Sequence, residues 1–377
     1  MSRRRFAPLD RIILGQPRAM SALQTALDAG RIFPSLVFHG PIGTGKLATA
    51  LLVSRALLCS APEERPCGAC RSCRRIGEQA LVHPDVRLVM PERKSDFEKG
   101  ESDEGAVGPA PQEQQGEAIA NPVWSVLIDR VRQGIAFLQR RPSESQRSIL
   151  IVDQAHRMEA PAANALLKTL EEPPPHAVLI LLTPSWHALL PTIRSRCQAV
   201  PFQLVPRPEI VNFLVESREL PAEEAVLRAG LSDGRIGRAL DLDLEQFRRR
   251  RESLVAILDD LDRRGDPGIA VARAEAVLQS GDPLDGDLEI LMTLLRDVLI
   301  LGVAPAEEGR LINVDMAARL RDLAARIGDR SGTALEDLET MIESIRHKGN
   351  RQLLLENFLI GLLPDAARSA PGAAART

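Results

Sequence analysis

The sequence predicts an α/β domain built on a parallel sheet, followed by segments that are helical only. Three observations predict it. Leu36-Val37-Phe38, Ser148–Val152 and Ala177–Leu182 are apolar runs without alternation, the pattern of strands covered by helices on both faces. The first of these runs into a glycine-rich turn that opens a helical segment, Lys46–Leu58. Beyond Pro206 and Pro208 no such run recurs, and the apolar spacing becomes that of helices.

The order of elements divides the chain. Residues 1–204 read as the α/β domain. Within it, residues 91–122 are rich in Glu, Asp, Gln, Gly and Pro, with Phe97 the only aromatic. Such a stretch buries too little to offset the entropy of ordering, so it is expected to be a disordered, acidic surface insertion. Residues 205–243 hold two or three short helices around the turn Ser232-Asp233-Gly234. Residues 244–364 follow as a helical domain. There, Ile269–Leu278, Leu288–Leu301, Met316–Ile327 and Leu335–Ile345 carry apolar residues at helical spacing. Gln352–Leu363 is apolar around much of its circumference, which implies burial against other helices or another chain. Residues 365–377 are a small-residue tail, expected to be disordered.

Composition narrows the function classes. The 377 residues are 44% hydrophobic and 26% charged, the balance of a globular protein with room for two or three domains. Aromatics are 3% and Tyr is missing, so the cores must be aliphatic. A net charge of −3 offers no global attraction for nucleic acid. Arg supplies 43 of the 48 basic residues and Lys only 5. The start, MSRRRFAPLD, lacks the apolar core of a secretory signal. The longest apolar stretch, Ala177–Leu190, is interrupted and too short to span a bilayer. A cytoplasmic protein with reduced thiols and no membrane partner is expected.

Gly40-Pro41-Ile42-Gly43-Thr44-Gly45-Lys46 is a G-x-x-x-x-G-K loop between a buried strand and a helix. Its glycines let backbone N–H groups turn toward phosphate oxygens, the helix N-terminus adds positive potential, and Lys46 reaches the terminal phosphates. Gly40, Gly43, Thr44, Gly45 and Lys46 are therefore candidates for binding ATP or ADP. The next residue is Leu47, where a working loop needs Ser or Thr for Mg²⁺. The strand Ile149–Val152 leads into Asp153, which can hold Mg²⁺ directly or through water. Gln154 then stands where an ATPase needs Glu to activate water, and Gln is a very poor base. The two losses together predict a nucleotide-switch fold without hydrolysis of its own.

Cys59, Cys67, Cys70 and Cys73 form C-x7-C-x2-C-x2-C. Four thiolates at this spacing suit a tetrahedral, structural Zn²⁺ with no position left for substrate. The polar neighbours Pro66, Gly68, Arg71, Ser72, Arg74 and Arg75 are not those of free core cysteines. Spacing alone leaves an iron–sulfur cluster open, although the usual ferredoxin run is missing. Cys197 stands apart.

Further motifs carry a family resemblance. Asn164-Ala165-Leu166-Leu167-Lys168-Thr169-Leu170-Glu171-Glu172-Pro173-Pro174 and Ser195-Arg196-Cys197, with the cysteine module after the phosphate loop, resemble bacterial DNA polymerase III clamp-loader subunits of the γ/τ and δ′ type. These are AAA+ proteins with a nucleotide-binding domain, a helical lid and a helical collar; the resemblance implies that arrangement over residues 1–204, 205–243 and 244–364. The γ/τ motors keep the hydroxyl and the DE pair that Leu47 and Gln154 replace here, and within Gly234–Leu240 the resemblance sets their phosphate-sensing arginine at Gly237, with Arg238 one residue off. The resemblance is thus to the non-hydrolysing δ′ branch, with an active γ/τ-type ATPase as the alternative. It implies a hetero-oligomer with γ/τ and δ, acting on a sliding clamp and primed DNA as part of a DNA-directed DNA polymerase holoenzyme. It also implies that Arg196 projects into a neighbouring subunit's ATP site; without that context Arg196 is one surface charge among many. Thr183 falls where AAA+ proteins place a polar sensor. Lys168, Glu171 and Glu172 are left without a role, and Arg248–Arg251 reads as a solvated helix face.

Overall fold

The computed structural model describes residues 13–62, 64–77, 81–93, 124–279, 284–347 and 349–364. Most of the acidic insertion and the whole C-terminal tail lie outside them. The described chain forms two compact units. One comprises residues up to Phe213 together with Ser232–Asp241, the other Leu214–Leu231 with Leu242 onward.

In the first unit the elements are α1 (Pro17–Asp28), β1 (Ser35–His39), α2 (Lys46–Leu58), α3 (Arg71–Arg75), β2 (Val86–Val89), β3 (Glu92–Arg93), β4 (Trp124–Ser125), α4 (Ile128–Gln139), β5 (Ser148–Val152), α5 (Ala160–Glu171), β6 (Ala177–Thr183), α6 (Pro191–Arg194) and β7 (Gln198–Pro201). The five main strands lie in the order β2-β5-β6-β1-β7, and every pair is parallel. The expected parallel α/β domain is therefore present. Its strands are buried on both faces because alternate side chains enter different cores. Leu36, Phe38, Ile149, Ile151, Val178, Ile180 and Leu182 pack with α1 and α2. Val37, Leu150, Val152, Leu179 and Leu181 pack with α4 and α5. That is why their sequences run apolar without alternation. The outer strands β2 and β7 escape sequence reading for the complementary reason. Each has one neighbour, and their exposed or half-buried positions admit Arg87, Gln198 and Pro201.

After β7 the chain continues through α7 (Arg207–Arg218), α8 (Ala222–Leu231) and α9 (Ile236–Asp241). The second unit then adds α10 (Leu244–Arg264), α11 (Pro267–Gln279), α12 (Leu284–Val303), α13 (Ala317–Arg346) and α14 (Arg351–Gly361) around one aliphatic core. Leu355, Phe358 and Leu359 of α14 are buried in it, so one face of that helix is covered by its own chain, while Leu353 on it stays exposed. Among the described residues no helix is long and apolar enough to cross a membrane.

The run Arg248–Arg251 is a solvated face over its first half only: Arg248 and Arg249 are exposed, whereas Arg250 and Arg251 turn inward. Arg250 pairs with Asp287 at 2.8 Å. The Arg251 side chain is 3% exposed and pairs with Asp315, while also donating to Asn313 Oδ1 at 3.0 Å. Asp297, fully buried, accepts from the backbone N–H groups of Ile312 and Asn313. This polar network fixes the turn between α12 and α13, each buried charge having a partner as its desolvation requires.

Candidate functional site

The phosphate loop occupies the turn from β1 to α2, at the carboxyl edge of the sheet. Gly40, Gly43 and Gly45 have φ of 143°, 77° and 86°, a region that L side chains rarely adopt. Lys46 Nζ donates to the loop's own carbonyls, Gly40 O at 2.7 Å and Pro41 O at 2.5 Å. Burial brings its ammonium down to about 8, partly opposed by the Asp153 carboxylate. Asp153 sits just past β5 and accepts from the Gln154 N–H at 2.9 Å. Burial pushes its carboxyl upward, against the pull of Lys46. Burial lowers both His39 and His156, assisted at His39 by the charge on Lys46 and at His156 by those on Arg157 and Lys46. Sequence and fold thus bring Gly40, Gly43, Thr44, Gly45, Lys46 and Asp153 into one neighbourhood.

The hydroxyls nearby are turned elsewhere. Thr44 Oγ1 donates to Pro41 O at 2.8 Å, and Thr49 Oγ1 to Gly45 O at 2.8 Å. Leu47 packs against the apolar cluster beneath the sheet. Thr183, at the end of β6, donates to Ser185 O at 2.9 Å. The first turn of α9 comes down on the loop: Gly237 N–H donates to Gly43 O at 2.9 Å. A Cβ on Gly237 would lie 3.3 Å from that oxygen, so this approach favours glycine.

The four cysteines converge. Cys59 follows the end of α2, Cys70 caps α3 and Cys73 lies within it. All four sulfurs lie within 4.8 Å of one another. Backbone N–H groups of Cys67, Cys70 and Cys73 point at the sulfurs of Cys59, Cys67 and Cys70 at 3.5, 3.3 and 3.4 Å. The Cys70 and Ala69 N–H groups hold the Cys67 thiol below its usual range, whereas burial pushes the Cys59 and Cys73 thiols up. An all-sulfur donor set closed on itself can hold a metal ion and offers no open position for substrate. Cys197 is elsewhere, its thiol pushed up to about 12 by burial.

Arg196 lies just past α6 on the surface of the first unit. Its Nε and Nη2 donate to Glu171 Oε1 at 3.0 and 2.6 Å. Sequence reading gave Glu171 no role. The available signal was a carboxylate on the last turn of α5, where the helix dipole disfavours negative charge unless a cation stands close.

The family described as "DNA polymerase III, delta subunit" matches residues 15–206. The chain belongs to that family. DNA polymerase III subunit delta' of Bacillus subtilis (strain 168) is 28% identical over 352 residues, covering 92% of this chain and 96% of the relative. Its counterpart in Escherichia coli (strain K12) is 30% identical over 344 residues, covering 90% and 91%. DNA polymerase III subunit gamma/tau of Mycobacterium tuberculosis (strain ATCC 25618 / H37Rv) is 30% identical over 389 residues, with 96% of this chain matched to 62% of that protein. The cysteine cluster, the phosphate loop, Asp153 and Arg196 all lie inside the region matched by the delta family.

Proposed function

We propose that this chain is the δ′-type subunit of a DNA polymerase III clamp loader: an AAA+ protein that hydrolyses no ATP itself and presents Arg196 to the ATP site of a neighbouring subunit. Residues 1–204, 205–243 and 244–364 serve as its nucleotide-binding-like domain, lid and collar. The observation that carries the reading is the first turn of α2. Leu47 packs into the apolar cluster, and the Thr44 and Thr49 hydroxyls donate to carbonyls of their own loop. Mg²⁺ finds no hydroxyl where the reaction needs one, and Gln154 supplies no base. Gly40, Gly43, Thr44, Gly45 and Lys46, with Asp153, remain able to hold ATP or ADP as a ligand.

Arg196 contributes what the chain lacks for itself. A guanidinium beside a neighbour's γ-phosphate stabilises the charge that develops during transfer. The partners are γ/τ- and δ-type subunits and, through the assembly, a sliding clamp and primed DNA in the cytoplasm. The chain is in this sense part of a DNA-directed DNA polymerase holoenzyme. Cys59, Cys67, Cys70 and Cys73 hold a structural Zn²⁺ that ties the end of α2 to α3.

The test is ATP hydrolysis by the purified chain and by the complex reconstituted with γ/τ and δ. The chain alone is expected to show no turnover, and Arg196→Ala to lower turnover of the complex with assembly intact. Turnover by the chain alone that disappears in Lys46→Ala would show a γ/τ-type ATPase instead.

A further inference from the structure

The ion pair on Arg196 contains more than a counter-charge. Glu171 closes α5, and Arg196 follows α6 by two residues. Three sets of bonds hold the guanidinium. Nε and Nη2 share Glu171 Oε1. Nη1 donates to Thr192 O at 2.9 Å and to Ser195 Oγ at 3.0 Å. Of the five N–H donors of an arginine, these bonds leave one, on Nη2. The Arg196 side chain nevertheless remains 34% exposed, and that of Glu171 51%.

An exposed pair of this kind adds little to folding. What it does add is orientation. The bonds to Thr192 and Ser195 keep Nη1 on its own turn, and those to Glu171 fix the opposite edge, so the plane of the group is set. A long side chain fixed in this way has already lost the rotamer freedom that it would otherwise lose on meeting a phosphate. A contact that merely stored the arginine would cover it; here one donor and a third of the side chain stay open. The pairing is also specific to one of two adjacent carboxylates. Among the described residues Glu172 forms no ion pair, and its N–H donates to Lys168 O at 3.0 Å.

We propose that Glu171 is a positioning residue for Arg196, holding the guanidinium in the orientation in which its remaining N–H meets a phosphate oxygen at a neighbouring subunit's ATP site. This rests on the trans role of Arg196 given above. It assigns a task to the Glu171 carboxylate, through the arginine and without contact with the nucleotide.

The experiment uses the full chain assembled with γ/τ and δ subunits, measuring steady-state ATP hydrolysis with clamp and primed DNA. Glu171→Ala is expected to lower kcat about tenfold, the scale of one rotamer-rich side chain left to be ordered. KM for ATP and assembly should change less than about twofold. Glu171→Gln keeps an acceptor oxygen in place and should restore most of the loss. Glu171→Lys, which repels the guanidinium from a surface position, should reproduce it. Glu172→Ala removes the same charge one residue away and should behave as the unmodified chain. In an Arg196→Ala background, Glu171→Ala should add nothing. An unchanged or raised kcat in Glu171→Ala, with Arg196→Ala still impaired, would overturn the positioning role alone. An undiminished effect of Glu171→Ala in the Arg196→Ala background would do the same. If Arg196→Ala leaves kcat unchanged, the trans role fails and the positioning role with it.

Discussion

Lys46 is held in a setting that disfavours its charge, and this has a measurable consequence. Its folded-state value of about 8 lies below the ordinary 10.5, so between those values the unfolded chain binds more protons than the folded one. Stability therefore rises as pH climbs from 8 toward 10.5, and the cost of the buried ammonium is fully present below 8. Denaturant unfolding at about pH 8 and about pH 10 should show the unmodified chain gaining about 2 kcal/mol relative to Lys46→Met. Equal pH dependence in the two proteins would place the ammonium in water. Gly40 gives a second prediction. The sequence marks it as a phosphate-loop glycine, yet a Cβ there would fall on the carbonyl oxygen of Phe202. Gly40→Ala should cost about 2–3 kcal/mol without any nucleotide present. The loop residues were legible because a single local motif contains them. Glu171 was not, because its role depends on Arg196, which only the folded chain brings beside it.

At the scale of elements, legibility followed how many faces each segment buries. The central strands stood out as apolar runs and the edge strands did not. Met316–Ile327 and Leu335–Ile345 read as separate segments of helical apolar spacing, with Gly328 and Gly332 in the stretch between them. The structure runs one helix, α13, through both. Gly328 lies opposite Gly302 of α12, each glycine's missing Cβ falling 3.5–3.6 Å from the other's Cα. These glycines let two helices cross closely rather than end one of them. A methyl group fits at that distance and a larger side chain does not. Gly328→Ala should therefore be neutral or stabilising by up to about 1 kcal/mol, the helix-propensity gain. Gly328→Leu should destabilise by about 1–3 kcal/mol by forcing α12 and α13 apart. Denaturation midpoints of the two variants check both signs, and destabilisation by alanine would show the crossing to be already full. The buried pairing of Arg251 with Asp315 was invisible for a related reason: four consecutive arginines look alike until the turn after α12 supplies a carboxylate to one of them.

Over the whole molecule, the clustered aliphatic residues among those described fall into three groups, each within one unit. The clusters on the two faces of the sheet draw only on residues from Ile13 to Phe202. The helical cluster draws only on residues from Leu227 to Leu363. Cooperative unfolding is a property of a shared core, so such a chain need not melt as one. The four-cysteine group adds an asymmetry, since it lies wholly in the first unit and joins α2 to α3. If it holds Zn²⁺, binding energy enters the stability of that unit alone. Metal analysis of the purified chain should give about one Zn per chain. Scanning calorimetry should then resolve more than one transition. Cys70→Ser, or treatment with a strong chelator, should remove the metal and lower one transition while leaving the other in place. A single transition that shifts as a whole on metal loss would mean that the two cores unfold together. Full metal content in Cys70→Ser would remove that cysteine from the ligand set, and with it the closed four-sulfur site on which the structural role depends.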